Sequence, residues 1–285
     1  MSPNHFVSNS LKDCTVFASL SPPDFLAKVK YVGSEARSKT AIIGIDVLRM
    51  TTTMIAAGAA GANGIFLAEK PVTGVYDLTA PIYSDLPWVY GGELNGLPIP
   101  DAQLDNSPLS IHPPALKGKF IKHYSTNGAK TQATALDVGA PTLFLMSMAN
   151  IEATVATILL QGFQSVWFLC AGFYNSSCLE DTVCAGVAIQ HLLDLGVAVN
   201  AQLDDGAKIA RNAAECYRGK SDRLVKDLHD SQVAKLLCNI GHCADVAACI
   251  TGEGMPTDLW QRMTRTVIQL QRSENGTPLL VPTTV

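Results

Sequence analysis

Residues 41–61 read AIIGIDVLRMTTTMIAAGAAG, and this stretch decides the fold. The apolar run at its start predicts a buried strand, and the small-residue run at its end predicts a helix. Asp46, Arg49 and Thr51 therefore lie where a strand leads into a helix. Ligands of α/β proteins bind beyond the carboxyl ends of strands, and a helix N-terminus attracts anions. The stretch predicts an anion site, with the alternative that Asp46 or Thr51 only caps the helix and Arg49 forms a surface ion pair.

Predicted strands and helices alternate along the chain. The strands are Thr15 to Ala18, Ala41 to Ile45, Gly64 to Ala68, Trp88 to Tyr90, Phe120 to Tyr124, Thr142 to Met146 and Ser165 to Leu169. The helices are Thr51 to Ala60, Lys130 to Leu136, Ile151 to Gln161, Glu180 to Leu195, Asp205 to Tyr217 and Ser231 to Ile240. This alternation predicts an α/β protein with a mainly parallel sheet flanked by helices in three layers. From the chain length we expect two α/β lobes, residues 1–140 and 141–285, with the active site between them.

Composition argues against several classes of function. The chain of 285 residues has a formal net charge of −4 and no block of Lys and Arg, so no nucleic acid or anionic membrane is predicted as a partner. Its apolar segments are interrupted before they reach membrane-spanning length, and residues 1–10 lack a secretory signal. We therefore expect a cytoplasmic protein with a small-molecule partner, and homo-oligomer formation is left open.

The eight cysteines contain no Cys-x-x-Cys pair, which argues against a metal cluster. Most lie among Ala, Leu and Val, where a free thiol in a reducing compartment behaves as a small hydrophobic group. Cys170 follows a predicted strand, but no adjacent His would activate it as a nucleophile. The scattered histidines are predicted to be structural, and His123 is the first exception because it lies two residues before Ser125.

Three further groups of polar residues follow predicted strands. They are Glu93 with Asn106-Ser107 in the loop-like stretch Gly91 to Pro114, Ser125-Thr126-Asn127-Gly128 before a helix, and Glu180-Asp181 at a helix start. Taken singly, Asn106-Ser107 can be a turn and Glu180-Asp181 can be partners of the helix dipole. In a doubly wound sheet these segments would converge with Asp46 and Arg49 at one edge. Carboxylates beside an anion clamp predict Mg2+ and a phosphate ester.

Six short motifs, in this order, resemble the 2-phosphosulfolactate phosphatase (ComB) family. They are Asp46-Val47-Leu48-Arg49-x-Thr51-Thr52-Thr53, Gly91-Gly92-Glu93, Asn106-Ser107-Pro108, Thr126-Asn127-Gly128, Cys170-Ala171-Gly172 and Glu180-Asp181-x-x-Cys184-Ala185-Gly186. Each motif alone is weak, but the ordered set is specific and spans most of the chain. The resemblance implies a ComB-like fold and a magnesium-dependent phosphatase that converts 2-phospho-3-sulfolactate to 3-sulfolactate, a step towards coenzyme M.

The resemblance also implies roles for the matching residues, and Mg2+ is the implied cofactor. The metal ligands would be Asp46, Glu93, Glu180 and Asp181, and the catalytic groups would be Asp46, Glu93 and Asp181. The anionic groups of the substrate would contact Arg49, Thr51, Thr52, Asn106, Ser107, Thr126, Asn127 and Gly128.

Three positions depart from the usual family pattern. Leu94 and Lys130 stand where the family usually has Arg, and Asp105 stands where it usually has Gly. One Arg fork to an anion contributes about 1.5 to 3 kcal/mol, so the changes predict a pocket less suited to a highly charged sulfonate. One open function is a magnesium-dependent phosphoric monoester hydrolase that acts on a small phosphorylated hydroxy acid or related anionic metabolite. The other is a divergent member with an altered reaction in a specialised pathway, or a non-catalytic protein that binds a small anion.

Overall fold

The computed structural model describes residues 14–68, 86–140, 142–195, 201–272 and 278–285. Within these ranges the strands are β1 (Thr15–Ser19), β2 (Thr40–Ile45), β3 (Gly64–Leu67), β4 (Trp88–Leu94), β5 (Leu97–Pro98), β6 (Phe120–Tyr124), β7 (Leu143–Met146), β8 (Ser165–Cys170), β9 (Gln202–Leu203), β10 (Thr266–Arg272) and β11 (Pro278–Thr284). The helices are α1 (Pro22–Val29), α2 (Ser34–Ser38), α3 (Met50–Ala59), α4 (Pro113–Leu116), α5 (Gly128–Asp137), α6 (Ile151–Gln161), α7 (Leu179–Asp194), α8 (Asp205–Glu215), α9 (Ser221–His229), α10 (Gln232–Asn239), α11 (Ala244–Thr251) and α12 (Thr257–Met263). A short 3-10 turn covers Pro108–Ser110.

The strands form one mixed sheet in the order β5-β4-β6-β3-β11-β10-β7-β2-β8-β1-β9. One parallel group contains β7, β2, β8, β1 and β9, and a second contains β4, β6 and β3. The antiparallel hairpin of β10 and β11 joins the two groups, and β5 pairs with β4 in the antiparallel direction at one edge. The predicted α/β class with a mainly parallel sheet is confirmed.

Both faces of the sheet are covered by helices. Alternate strand residues point to opposite faces, so Ile43 and Phe168 belong to one apolar cluster while Ile42 and Trp167 belong to the other. The first cluster includes residues of α6 and α7, and the second includes residues of α3 and α5. This arrangement gives the three layers that the sequence predicts.

Residues 1–140 and 141–285 contribute strands to the same sheet, in which β2 lies between β7 and β8. The division into two lobes at residue 140 stays a prediction. Helix α5 contacts both β2 and β3, which belong to different parallel groups. The turn before α5 therefore reaches the carboxyl end of β2, where Asp46 lies.

The predicted strands and helices are present, with ends that shift by a few residues. Strand β4 is longer than predicted and includes Glu93, because the chain continues its pairing with β6 beyond Tyr90. A disulfide joins Cys238 to Cys243, which the sequence does not predict. None of the helices in the described ranges has the length and apolar character needed to cross a bilayer.

Candidate active site

A cleft opens beside the carboxyl ends of β2 and β6. Its lining consists of Asp46, Leu48, Arg49, Glu93, Asn95, Gly96, Asn106, Thr126, Asn127, Phe173, Tyr174, Val233, Leu236 and Leu237. Six residues predicted for the site are among them, namely Asp46, Arg49, Glu93, Asn106, Thr126 and Asn127. The fold thus brings together polar residues that are far apart in the chain, at the edge where α/β proteins bind ligands.

Asp46 follows β2 directly and is only 6% exposed. Its Oδ1 accepts a hydrogen bond from the N–H of Met50 at 3.4 Å, in the first turn of α3. A Cβ atom on Gly128 would lie 2.1 Å from Asp46 Oδ2, so a glycine is needed where α5 begins. Burial, and then the charges of Asp181 and Glu93, raise the pKa of Asp46 well above its usual range. Gly128, which the sequence assigns to the substrate, makes room for this carboxylate.

Glu93 connects two loops at the cleft. Its Oε2 accepts hydrogen bonds from the N–H of Gly96 at 2.6 Å and from the hydroxyl of Thr126 at 3.0 Å, and its Oε1 accepts one from the N–H of Thr126. Thr126 Oγ1 also accepts a hydrogen bond from the N–H of Asn95 at 2.7 Å. The Glu93 carboxylate therefore holds the turn after β4 against the turn before α5.

Glu180 and Asp181 begin α7 and are both buried. Both oxygens of Asp181 accept backbone hydrogen bonds, from Val47 at 2.8 Å and from Gly172 at 3.0 Å. Glu180 Oε2 has no hydrogen-bond partner among the described residues. Burial is the main cause of a raised pKa for both groups, to about 6 for Glu180 and to about 7 for Asp181. The charge of Glu180 further raises the pKa of Asp181. Asp181 therefore joins the ends of β2 and β8, while Glu180 keeps an oxygen without a partner.

Arg49 is held in a buried ion pair. Its Nη1 donates to Asp245 Oδ2 at 2.6 Å, and its Nη2 donates to the carbonyl of Gly96 at 3.0 Å. The hydroxyl of Ser107 donates to Asp245 Oδ1 at 2.6 Å. The substrate contacts of Arg49 and Ser107 stay predictions, and in the structure both side chains bind Asp245. No local motif signals Asp245, since it lies far away in sequence on α11.

Thr51 and Thr52 lie inside the protein beside the cleft, and their substrate contacts stay predictions. Both side chains are fully buried. The hydroxyl of Thr51 donates to the carbonyl of Asp46 at 2.8 Å, and that of Thr52 donates to the carbonyl of Val47 at 2.9 Å. These hydroxyls fix the turn between β2 and α3, Thr51 does not cap the helix, and neither residue lines the cleft.

His123 supports the cleft from inside the protein. The side chain is fully buried. Its Nε2 lies 3.0 Å from Asn106 Oδ1, and its Nδ1 has no hydrogen-bond partner among the described residues. Burial lowers the pKa of His123 to about 3, so the ring is neutral and Nε2 carries the donated proton. His123 therefore orients Asn106.

Tyr174 is a cleft residue that the sequence does not predict. Its N–H donates to Asn127 Oδ1 at 3.2 Å, and its hydroxyl donates to Asn95 Oδ1 at 3.2 Å. The side chain is 52% exposed and joins the loops after β8, β6 and β4 at the edge of the cleft. Its position in the sequence could have indicated a place in the site, because Tyr174 lies between the Cys-Ala-Gly and Glu-Asp motifs.

One side of the cleft is apolar. It is formed by Leu48, Phe173, Val233, Leu236 and Leu237, three of which come from α10. The three departures from the family pattern lie outside the lining. Leu94 and Lys130 are exposed, and Asp105 Oδ1 accepts hydrogen bonds within its own turn, from the N–H of Ser107 and the hydroxyl of Ser110.

The carboxylates fit a hard divalent cation. The charge of Asp46 contributes to the raised pKa of Glu180, and a bound cation would offset this repulsion. The described residues that line the cleft include a single cation, Arg49, and its charge is already paired with Asp245. Oxygen ligands with uncompensated negative charge are the donor set that Mg2+ prefers. The partnerless Glu180 Oε2 is the atom that most directly calls for a ligand.

Comparisons with known proteins point to one family. The family profile described as 2-phosphosulpholactate phosphatase matches residues 28–257. A protein of Symbiobacterium thermophilum named probable 2-phosphosulfolactate phosphatase is 32% identical over 215 residues, which are 75% of this chain and 88% of that protein. Proteins of the same name from Carboxydothermus hydrogenoformans and a Cyanothece species are 34% and 31% identical, over 73% of this chain in both cases and over 81% and 83% of their own lengths.

Proposed function

The chain belongs to the 2-phosphosulpholactate phosphatase family, and on this premise we propose that it is a magnesium-dependent hydrolase of phosphoric monoesters. Its substrate is a small phosphorylated hydroxy acid or a related anionic metabolite. The observation that carries the proposal is a pair of interacting buried carboxylates with raised pKa values. Asp46 lines a cleft that also presents amide and hydroxyl groups, and the charge of Asp46 contributes to the raised pKa of Glu180. A protein that only binds an anion has no need of such a set, because carboxylates repel anions.

Asp46 and Glu180 would hold the metal. Asp46 lines the cleft, and Glu180 has the buried oxygen without a partner. Bound Mg2+ would polarise a phosphoryl oxygen and orient a water molecule. Glu93 and Asp181 would position the loops, because their oxygens accept backbone hydrogen bonds from both sides of the cleft.

The chain's own groups would bind and orient the phosphate ester. The side-chain amides of Asn106 and Asn127 and the hydroxyl of Thr126 line the cleft. His123 fixes Asn106, and Tyr174 fixes Asn127, so both amides are oriented before a substrate binds. Asp46 is the carboxyl group placed to exchange a proton with the substrate, since it lines the cleft and its pKa is raised well above the usual range by burial and then by the charges of Asp181 and Glu93.

The substrate would carry fewer negative charges than 2-phospho-3-sulfolactate. Arg49 has its guanidinium bound to Asp245 and Gly96, and the opposite side of the cleft is apolar. A sulfonate in such a cleft would lose its hydration without gaining a free cation as a partner. An ester with a carboxylate and a short apolar chain suits this lining better than 2-phospho-3-sulfolactate does.

Phosphate release from a panel of small esters tests the proposal. The panel includes phospholactate and phosphosulfolactate, each assayed with and without Mg2+. We expect magnesium-dependent release that is largest for phospholactate-like esters and is lost in Asp46→Asn and Glu180→Gln. The matched control is Asp258→Asn, because Asp258 is 74% exposed and pairs only with Arg262 on its own helix.

Two outcomes would contradict the proposal. Equal activity of Asp46→Asn and the unmodified protein would remove Asp46 from the chemistry. Absence of phosphate release from every ester, with the protein folded by circular dichroism, would favour an altered reaction or an anion-binding role.

A further inference from the structure

Three potential metal ligands meet where α9, α10 and α11 join. His229 is the last residue of α9, Cys238 lies near the end of α10, and Cys243 is the residue before α11. The structure shows Cys238 and Cys243 as a disulfide, and Cys243 Sγ lies 3.9 Å from His229 Nδ1. One ligand atom from each of the three residues lies within 4.8 Å of the other two. The cluster is separate from the carboxylates of the cleft.

We propose that, when the disulfide is reduced, His229, Cys238 and Cys243 form a binding site for a borderline or soft divalent metal ion of the Zn2+ class. Two thiolates and one imidazole are ligands that Zn2+ prefers over the oxygen ligands of a magnesium site. The two cysteines are separated by four residues, which is within the spacing found at zinc sites. Cys-x-x-Cys is therefore not required, and its absence in the sequence does not argue against this site.

The distances suit the proposed site. With Zn–S bonds of about 2.3 Å and Zn–N bonds of about 2.0 Å, tetrahedral angles place two sulfur ligands about 3.8 Å apart and a sulfur and a nitrogen ligand about 3.5 Å apart. The present distance of 3.9 Å between Cys243 Sγ and His229 Nδ1 needs to shorten by only a few tenths of an ångström. The two sulfur atoms must separate, which reduction of their bond allows. Cys243 is exposed and Cys238 is half-buried, so a metal ion and a reductant can both reach the cluster.

Metal binding and disulfide formation compete for the same two sulfur atoms. A dithiol reductant gives two electrons to the Cys238–Cys243 bond, is itself oxidised to a disulfide, and leaves two protein thiols. Binding of Zn2+ then releases two protons from these thiols, while neutral His229 donates the lone pair of Nδ1. In the reverse direction, a low-molecular-weight disulfide accepts two electrons from the two thiolates, becomes two thiolates itself, and the protein disulfide forms as the metal leaves.

The test uses Co2+ as a spectroscopic probe of the full-length protein. The protein is reduced, freed of reductant and metal under anaerobic conditions, and titrated with Co2+ and then with Zn2+. We expect a near-ultraviolet band from thiolate-to-cobalt charge transfer that saturates at one ion per chain and is displaced by Zn2+. The band should be absent in the oxidised protein and in Cys238→Ser and Cys243→Ser, and His229→Ala should weaken binding at least about tenfold.

Matched controls make the result specific. Cys216→Ser should keep the band, because Cys216 is an exposed free thiol outside the cluster. Asp46→Asn should also keep it, so the result is independent of the proposed magnesium site. If a cysteine variant does not fold, the thiols of Cys238 and Cys243 are alkylated in the reduced, unmodified protein instead. This alkylation should abolish the thiolate-to-cobalt band. Absence of the band in the reduced protein, or its retention in Cys243→Ser, would overturn the proposal.

Discussion

The Nη1 atom of Arg49 lies 2.6 Å from Asp245 Oδ2, and both side chains are only 2% exposed. Arg49 follows β2 and Asp245 lies on α11, so the pair fixes the helices above the cleft to the sheet below it. Asp245 also accepts a hydrogen bond from the hydroxyl of Ser107, and His242 Nδ1 lies 3.2 Å from the same carboxylate. This carboxylate is thus the common partner of three elements around the cleft.

Replacing Asp245 should cost much more than replacing Ser107. Asp245→Ala leaves the guanidinium of Arg49 buried without its counter-charge, and we expect a loss of about 3 to 5 kcal/mol in the free energy of unfolding. Ser107→Ala removes one hydrogen bond and should cost about 1.5 to 3 kcal/mol, because the acceptor is charged. Urea unfolding of both variants measures the difference. Equal losses would show that the ion pair contributes little beyond the hydrogen bond.

Mg2+ should stabilise the protein more at pH 8 than at pH 6. Burial raises the pKa of Glu180 to about 6 and that of Asp181 to about 7, so the folded metal-free protein keeps protons that the unfolded chain has lost. Stability that comes from these raised pKa values is fully present below the ordinary values of 4.5 and 3.8 and is lost progressively as the pH rises to the folded-state values of about 6 and about 7. A metal ion replaces the protons and restores the stability at pH 8, whereas at pH 6 it must displace them.

Thermal unfolding with and without Mg2+ measures this effect, and Glu180→Gln provides the contrast. The variant removes a buried charge whose raised pKa corresponds to about 2 kcal/mol, so without metal it should unfold at a higher temperature than the unmodified protein at pH 8. It should also lose most of the shift caused by Mg2+. A magnesium shift that is independent of pH, or is retained in the variant, would remove Glu180 from the metal site.

The sequence predicts the residues around Asp46 better than it predicts their partners. An apolar run followed by polar residues and a helix is a local pattern, so the strand and the helix can be inferred from neighbouring residues. The contact of Arg49 with Asp245 joins residues 196 positions apart, and no local pattern contains it. Distant packing therefore decides whether a polar side chain near the cleft faces the ligand or the protein.

The same limit applies to the sheet. Strands β10 and β11 were not predicted, because the mainly parallel sheet is inferred from the alternation of strands and helices, and an antiparallel hairpin does not follow that alternation. The helices around α10 are short and strongly amphipathic, and their sequence does not tell which surface they cover. Their position over the cleft, which gives the apolar side of the site, is set by tertiary packing.

His123 should make the protein sensitive to acid. Burial lowers its pKa to about 3, against an ordinary value of about 6.5, so between these pH values the unfolded chain binds a proton that the folded protein does not. The contribution of this group to stability therefore falls by about 1.4 kcal/mol per pH unit below pH 6.5. The buried carboxylates act in the opposite direction over part of this range, so a comparison with a variant is needed.

His123→Gln keeps a donor towards Asn106 and removes the titrating ring. Urea unfolding at pH 7.5, 6.0 and 5.0 should show a stability difference between the two proteins that shifts in favour of the variant as the pH falls. His112→Gln is the control, because His112 is exposed. Parallel pH profiles for His123→Gln and the unmodified protein would contradict a neutral buried ring.

An arginine at position 94 should shift preference towards sulfonates. Leu94 is 44% exposed and directly precedes Asn95 and Gly96, which line the cleft. An arginine at position 94 would place an unpaired guanidinium at the edge of the cleft, where the guanidinium of Arg49 is already paired with Asp245. We therefore expect kcat/KM for phosphosulfolactate to rise about tenfold in Leu94→Arg. The exposed Leu160→Arg on α6 controls for added charge. An equal change in both variants would indicate general electrostatic attraction instead of a local contact.

Gly128→Ala should separate folding from activity. A Cβ atom at this position would lie 2.1 Å from Asp46 Oδ2 and 2.8 Å from the end of the Met50 side chain. Met50 can move, but the carboxylate must be displaced, and a displacement of about 1 Å at a reacting group can cost about a hundredfold in turnover. Alanine also favours the helical conformation by about 1 kcal/mol relative to glycine, which offsets part of the steric cost in stability. We therefore expect a folded protein with a loss of kcat of about a hundredfold, measured against Gly33→Ala, where the added Cβ meets nothing within 4 Å. Full activity of Gly128→Ala would mean that the position of Asp46 does not limit the reaction.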